Sequence, residues 1–152
     1  LGGTPLGGGS FTGIASRIDP ALTYETMIAG AARGDRRRAD VMVSDAYPDG
    51  IGRIGGEMTA AHLAKRGDET PDDVLAALLN LHGENIAQIA ASRAIIAQIP
   101  RLVLAGGFAH ENAALVTSIT AMAALFGVSA DLAPHAGFAG AIGAAILAGG
   151  KR

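Results

Sequence analysis

Cysteine is absent from this 152-residue sequence, which excludes a disulfide framework, a cysteine-ligated metal and a thiol nucleophile. Its absence also fits a cytoplasmic protein. Net charge is nearly absent too: 12 Lys and Arg stand against 14 Asp and Glu, a formal −2. A general nucleic-acid binder would carry a basic excess, so that class is set aside. Aromatic residues are scarce, with four Phe, two Tyr and no Trp. No basic segment with an apolar signal core opens the chain. Two uncharged stretches, 112–130 and 133–150, approach membrane-spanning length. Thr117, Ser118, Thr120 and Ser129 interrupt the first, and His135 with many glycines interrupts the second. Both are therefore read as buried helices and not as membrane spans. What abounds is the smallest residues: 32 Ala and 22 Gly leave more than a third of the chain with almost no side chain. Such a chain packs backbone close to backbone, helices on sheet. Its length suits a single domain over residues 1–152.

Glycine and proline punctuate the pattern. Residues 2–9 read as a glycine loop and 10–18 as a short helix leaving it. Residues 22–32 have helical spacing and end at Gly34. Residues 41–44 are either a strand or a helix end, 48–56 a loop, and 59–65 a short apolar turn or helix. The clearest helix follows. Thr70 suits the N-cap, Pro71 the first helical position, and Asp72 and Asp73 complement the dipole. Val74, Leu75, Leu78, Leu81, Ile86, Ile89 and Ile96 then recur at three or four, to about Gln98. Residues 101–105 read as a short buried strand, 111–126 as a helix, 128–133 as a second short strand and 137–148 as a small-residue helix. This alternation implies an α/β domain with some parallel pairing.

Two glycine-rich turns carry the chemistry. In Gly7-Gly8-Gly9-Ser10, three glycines before a helix let backbone amides converge on an anion at the positive end of the helix, and the Ser10 hydroxyl can add a donor. The run is neither a Walker A loop, since Gly9 stands where lysine is needed, nor G-x-G-x-x-G, since Thr12 takes the third glycine position. The plainer reading is a tight packing turn. In Leu102-Val103-Leu104-Ala105-Gly106-Gly107-Phe108 a strand runs into paired glycines, so a flat ligand could approach the backbone. Together the two turns suit a nucleotide site in which one holds phosphates and the other adenosine. A valine at Gly8 should then abolish binding with far less effect on stability. Gly137, Gly140 and Gly143 recur every three residues in the last helix, which predicts close packing of that face. Other features read as structure. Arg33-Gly34-Asp35 suits a helix end, and Arg36-Arg37-Arg38, flanked by Asp35 and Asp40, a solvated face. Asp45 and Asp49 are either a carboxylate pair or surface caps. His62, His82, His110 and His135 lack the spacing of a metal site.

The order of motifs resembles that of the type II, eukaryotic-like pantothenate kinases. Gly3-Thr4-Pro5-Leu6-Gly7-Gly8-Gly9-Ser10-Phe11 is similar to the family's G-T-S-x-G-G-G-T-F. Tyr24-Glu25-Thr26-Met27, Ala32-Arg33-Gly34-Asp35, Ser44-Asp45-Ala46-Tyr47 and Met58-Thr59-Ala60-Ala61 follow in the family's order. So do Asn85-Ile86-Ala87-Gln88-Ile89-Ala90, Val103-Leu104-Ala105-Gly106-Gly107-Phe108 and His135-Ala136-Gly137-Phe138-Ala139-Gly140-Ala141-Ile142-Gly143-Ala144. The matches are collinear over nearly the whole chain.

The resemblance implies an RNase-H-like C-terminal domain of the actin/hexokinase-like ATPase superfold, a mixed sheet packed by helices. It implies ATP, with Mg2+ carried by the nucleotide, and pantothenate as the substrate phosphorylated at the entry to coenzyme A. Gly7, Gly8, Gly9 and Ser10 would face the phosphates, Tyr24 would lie beside the nucleotide, and Gly106 and Gly107 would border adenosine. Thr59 and Ala60 would supply a loop to the partner subunit's pantothenate pocket in a homodimer, with the long helix at 70–98 a candidate for dimer contacts. The family's Asp-Gly-Gly phosphate motif, catalytic glutamate and pantothenate-holding Ser and Arg have no counterpart in this sequence, which begins at Leu1 inside a glycine-rich turn. The chain is thus expected to be the C-terminal part of a longer protein, to lack catalytic residues of its own and to be inactive alone. Pro5 and Gly107 replace polar residues of the family pattern. A kinase for another small alcohol, or a split or degenerate domain that only pairs with a partner, are the alternatives.

Overall fold

The structure, a computed structural model, describes residues 3–52 and 54–150; Gly2, where the glycine loop was expected to begin, lies outside them. The chain divides into two compact units, Phe11–Leu81 on one side and Leu1–Ser10 with His82–Arg152 on the other. Helices α1 (Gly8–Ile18) and α3 (Pro71–Ile96) each run across that division.

In the first unit, α2 (Tyr24–Arg33) begins at Thr23, whose hydroxyl accepts from Thr26 N–H while the Thr26 hydroxyl accepts from Thr23 N–H. This reciprocal cap satisfies two of the donors that a helix start leaves unpaired. Met27, Gly30 and Ala31 form its buried face. The helix ends at Gly34, whose N–H donates to the Gly30 carbonyl, so the Arg33-Gly34-Asp35 triplet does sit at a helix end. Arg33 meets Asp72 with two hydrogen bonds of 2.9 and 3.1 Å. The start of α3 is as the sequence predicts. Thr70 N–H donates to Asp73 Oδ2 at 2.8 Å, and Asp73 N–H to the Thr70 hydroxyl at 3.3 Å.

Asp73 also accepts from Asp35 N–H at 2.7 Å, tying the end of α2 to the start of α3. The Thr70 and Asp35 amides, with Arg38 nearby, hold its carboxyl below the ordinary value of 3.8. A carboxyl depressed by folding adds stability above its unfolded pKa and loses it as pH falls through the lower folded one. The melting temperature should therefore drop below about pH 4, the ordinary aspartate range. Asp73→Asn should lower the melt at neutral pH and make it less sensitive to acid. Parallel acid-limb dependence in the two proteins would show that Asp73 does not link these helices.

The residues 59–65, expected as a turn or helix, instead contribute a strand. β2 (Thr59–Ala61) pairs antiparallel with β1 (Val41–Met42), Val41 facing Ala61 and Met42 facing Thr59. Ala60 is left as the extra residue of a bulge, the device by which a strand re-aims its side chains. The three consecutive arginines are paired within this unit. Arg36 reaches Thr59 and the Glu57 carbonyl, Arg37 pairs with Asp35, and Arg38 pairs with Asp68. Asp45 caps Met42 N–H and pairs with Lys65, so it acts as a cap.

The second unit is built on a parallel pair. β3 (Arg101–Leu104) and β4 (Ser129–Leu132) run in register from Arg101–Ser129 to Leu104–Leu132, with α4 (Ala113–Leu125) as the crossover. The described residues thus form two separate ladders, one antiparallel and one parallel, where a mixed sheet was expected. Asn112, 1% exposed, caps α4 through Leu115 N–H and donates to the Phe108 carbonyl. Leu115, Ile119 and Ala123 bury α4 as predicted. Ala91 and Ala94 of α3 pack with Val128, Leu102 and Phe126. Gly83 admits close approach of α4: a Cβ there would fall 2.4 Å from the Ser118 hydroxyl.

Three expectations fail here. β3 is not a buried strand, since Arg101 and Val103 turn outward and Val103 is 61% exposed. α5 (Ala139–Gly149) has no buried residue, and Ile146 and Leu147 stand open. Close packing explains only the first of the three spaced glycines, Gly137, which lies in the turn before α5. A Cβ on Gly137 would strike the His110 ring, whereas those on Gly140 and Gly143 would meet nothing within 4 Å. Hydrophobicity along a helix cannot distinguish a covered face from an open one. The long helix α3 is the candidate for dimer contacts. Its apolar circumference at Leu75–Leu79 is buried within this chain, and its open apolar residues are Ile95 and Ile96. Among the described residues, no helix is long and apolar enough to cross a membrane.

Candidate functional site

Parallel strands deliver their carboxyl ends to the same side, and open α/β sheets bind ligands there. The loop after β3 carries Gly106, Gly107 and Phe108, and the loop after β4 carries His135, Ala136 and Gly137. They are tied together by the Gly106 N–H, which donates to the Ala136 carbonyl at 2.8 Å. Gly106 has φ +104°, a conformation that requires glycine. Glu111 and His135 adopt φ 53° without being glycine, and strained backbone of this kind gathers at functional turns.

The first glycine run arrives at the same place. Helix α1 starts at Gly8, two residues earlier than the sequence suggests, so Gly8 and Gly9 belong to its first turn. A Cβ on Gly8 would lie 3.4 Å from Phe108 Cβ. Phe108 stands edge-on to the His82 ring, centroids 6.0 Å apart and planes at 83°. His82, fully buried on α3, places Nε2 2.8 Å from the Ser10 hydroxyl oxygen. That oxygen also accepts from Gly7 N–H at 2.9 Å and lies 2.9 Å from the Gly7 carbonyl. The two glycine turns expected to act together are therefore neighbours within one unit, joined by Phe108.

Bare backbone borders this cluster. Cβ atoms built on Gly7, Gly9, Gly106 and Gly107 would meet no atom within 4 Å. Such a cradle can accept a phosphate or a flat ring without side chains in the way. Within the run, Gly7 N–H is committed to Ser10 and Leu6 N–H to the Thr4 hydroxyl at 3.2 Å. Gly8 is a poorer probe than the sequence suggests, because a valine there presses on Phe108 and mixes packing with ligand access. Among the described residues, no three His, Asp or Glu side chains converge as a metal site.

Tyr24, Thr59 and Ala60 belong to the other unit. Tyr24 is the half-buried first residue of α2. The Thr59 hydroxyl accepts from Arg36 Nη1 at 2.8 Å and Asn80 Nδ2 at 3.1 Å, and Ala60 is the exposed bulge residue of β2. The segment is thus a strand fixed by its own chain where a loop was expected.

His82 and Phe108 were not among the residues predicted for the site. In the sequence His82 stands out only as a possible metal ligand, and its spacing does not suit one. Its signal was a lone imidazole between Leu78, Leu79 and Ile86 at helical spacing, since a polar group inside an apolar helix needs a hydrogen-bond partner.

Comparison with known proteins adds a family. The model described as Fumble matches residues 1–147. A protein named type II pantothenate kinase from Oceanobacillus iheyensis is 33% identical over 147 residues, covering 95% of this chain and 56% of that protein. One of the same name from Staphylococcus aureus is 30% identical over 152 residues, covering 97% of this chain and 57% of that protein. The chain spans a little over half the length of the curated relatives it matches.

Proposed function

This chain belongs to the Fumble family, and on that premise we propose that it is the nucleotide-binding part of a kinase that transfers the γ-phosphoryl group of Mg-ATP to the primary hydroxyl of pantothenate, the first step of coenzyme A biosynthesis. The observation that carries this reading is the meeting of the two glycine turns at Phe108, with Gly7, Gly9, Gly106 and Gly107 facing open space. In the proposed arrangement Gly7 to Gly9 and Ser10 take the phosphates, and Gly106 and Gly107 take the adenosine. Phosphoryl transfer needs positioning and charge stabilisation more than covalent chemistry from the protein. A cradle of backbone amides at the start of an 11-residue helix supplies both to an anion. Mg2+ enters with the nucleotide and neutralises part of its charge.

The remaining assignments extend the same reading. Tyr24 borders the nucleotide, and Thr59 and Ala60 serve the pantothenate pocket of a partner subunit in a homodimer. The base that activates the hydroxyl belongs to a half of the protein outside this sequence. The fold is the actin/hexokinase-like ATPase superfold, and the enzyme works in the cytoplasm. The test is transfer of label from radiolabelled ATP by the full-length protein. Pantothenate should be phosphorylated, and the 152-residue chain alone should show no pantothenate-dependent turnover. Preference for another small alcohol would move the substrate elsewhere in the superfold. No ATP turnover at all in the full-length protein would overturn the reading in favour of a pairing domain.

A further inference from the structure

Of the six aromatic residues in this chain, only Tyr47 and Phe138 are exposed among the described residues, and Phe138 is the more open at 63%. Three contacts seat Phe138 beside the Gly106-Gly107 turn. Gly106 N–H donates to the Ala136 carbonyl at 2.8 Å, and His110 N–H donates to the Gly106 carbonyl at 3.1 Å. The His110 ring then stands 6.0 Å from the Phe138 ring, their planes at 70°. Gly137 permits this seating, since a Cβ there would fall 2.8 Å from His110 Cδ2. Phe138 N–H donates to the His135 carbonyl at 2.8 Å, which closes the turn that carries the ring. The two non-glycine residues of this unit's turns with φ 53°, Glu111 next to His110 and His135 three before Phe138, flank the same pair of rings.

We propose that Phe138 is the surface on which the base of the nucleotide stacks. Gly106 and Gly107 give a flat ring room to approach, and Phe138 offers the apolar face against which it can lie. The edge-on contact with His110 occupies at most one face of the phenyl ring, so the other is open to a ligand. Every base has a π-face, so stacking of this kind holds a base without choosing between bases. Phe138 also stands just before the open apolar residues Ile142 and Ile146 of α5. It differs from them in being aromatic and in being tied to the glycine turn, whereas a simple cover for that helix would need only apolar bulk. The proposal rests on the nucleotide reading above and adds to it a specific residue for the base.

The test compares Mg-ATP with Mg-tripolyphosphate, which has no base, in the full-length protein. Phe138→Ala should weaken ATP binding by about fivefold to a hundredfold, the range that alanine substitution gives for one stacked base. Tripolyphosphate affinity should stay within about twofold of the wild type, because stacking acts on the base alone. Phe138→Leu restores apolar bulk without a flat face and should share the loss for ATP, while Phe138→Trp should bind ATP as tightly as the wild type. Melting temperatures should agree across the series, since the ring is largely in solvent. The indole added by Phe138→Trp, in a sequence with no tryptophan of its own, gives a second readout. Its emission should change when ATP binds and not when tripolyphosphate binds. Normal ATP affinity in folded Phe138→Ala, an equal loss for tripolyphosphate, recovery by leucine, or an indole blind to ATP would each overturn the proposal. If the alanine variant does not fold, the leucine and tryptophan variants still decide it. A wild-type protein that binds neither ligand would instead bring down the nucleotide reading itself.

Discussion

Gly9→Val in the full-length protein should weaken Mg-ATP binding by tenfold to a hundredfold, with its melting temperature unchanged or slightly raised. Gly9 lies in the first turn of α1, and a Cβ there would meet no atom within 4 Å. Folding therefore has no steric reason to resist the change. Valine is a slightly better helix former than glycine, whose presence in a helix costs roughly 1 kcal/mol relative to alanine. Any loss of binding must come from what approaches that open space from outside. Losing one backbone–anion contact costs about 1.5–3 kcal/mol, which converts to the expected range of affinity. A bulky side chain across the anion's path can make the loss larger. Calorimetric titration and a thermal melt on one preparation separate the outcomes. Unchanged ATP affinity in folded Gly9→Val would remove the phosphate-loop assignment and the chemical basis of the kinase reading. The same substitution at Gly8 would be ambiguous, since Phe108 already stands against that position.

Gly34→Ala should be the most damaging single-methyl change in the first unit, destabilising it by about 3 kcal/mol or more, at or beyond the top of the usual range for overpacking. For a chain of this size that lowers the melting temperature by about 10 °C. The reason is what the methyl would hit. A Cβ on Gly34 would fall 2.0 Å from the Asp72 carbonyl oxygen and 2.7 Å from Asp73 N, both backbone atoms in the first turn of α3. Those atoms cannot rotate away, and moving them would break the Thr70–Asp73 cap and the Asp35–Asp73 bond together. Gly30→Ala is the control. Its Cβ would approach Asp72 Oδ1 and Leu75 Cδ1, side-chain ends that can swing aside, so its cost should be clearly smaller. Equal melting temperatures for Gly34→Ala and wild type would mean that α2 and α3 do not meet this closely.

Where side chains declare a structure locally, the sequence made it legible. The start of α3 is written in Thr70, Pro71 and Asp73, and the end of α2 in Gly34. The turn at Gly106-Gly107 follows a short apolar run, and the two glycine turns were expected to share a task. What escaped the sequence depends on distant partners or on missing side chains. Glycines carry no signal to fix the start of α1. Thr59, Ala60 and Ala61 have no strand pattern and become one only by pairing with β1. The place of His82 in the site depends on a contact across 72 residues. The openness of α5 is invisible in its composition, because Ile142, Ile146 and Leu147 look alike covered or bare. The division into two ladders also depends on pairing between strands too short to announce their partners.

The parallel ladder sets an order of assembly. Its partners lie fewer than 30 positions apart, Arg101 with Ser129 and Leu104 with Leu132, and α4 occupies nearly half of the span. The Ser10–His82 contact must close a stretch more than twice as long. Loop-closure entropy grows only logarithmically, so the difference is about 0.8 kcal/mol, but the longer closure also needs α3 formed as far as His82 and Phe108 already set by the β3 loop. On closure length the glycine cradle is expected to form after the parallel ladder of its unit. A locally closed β–α–β element would then carry the part of its unit with the longest closure.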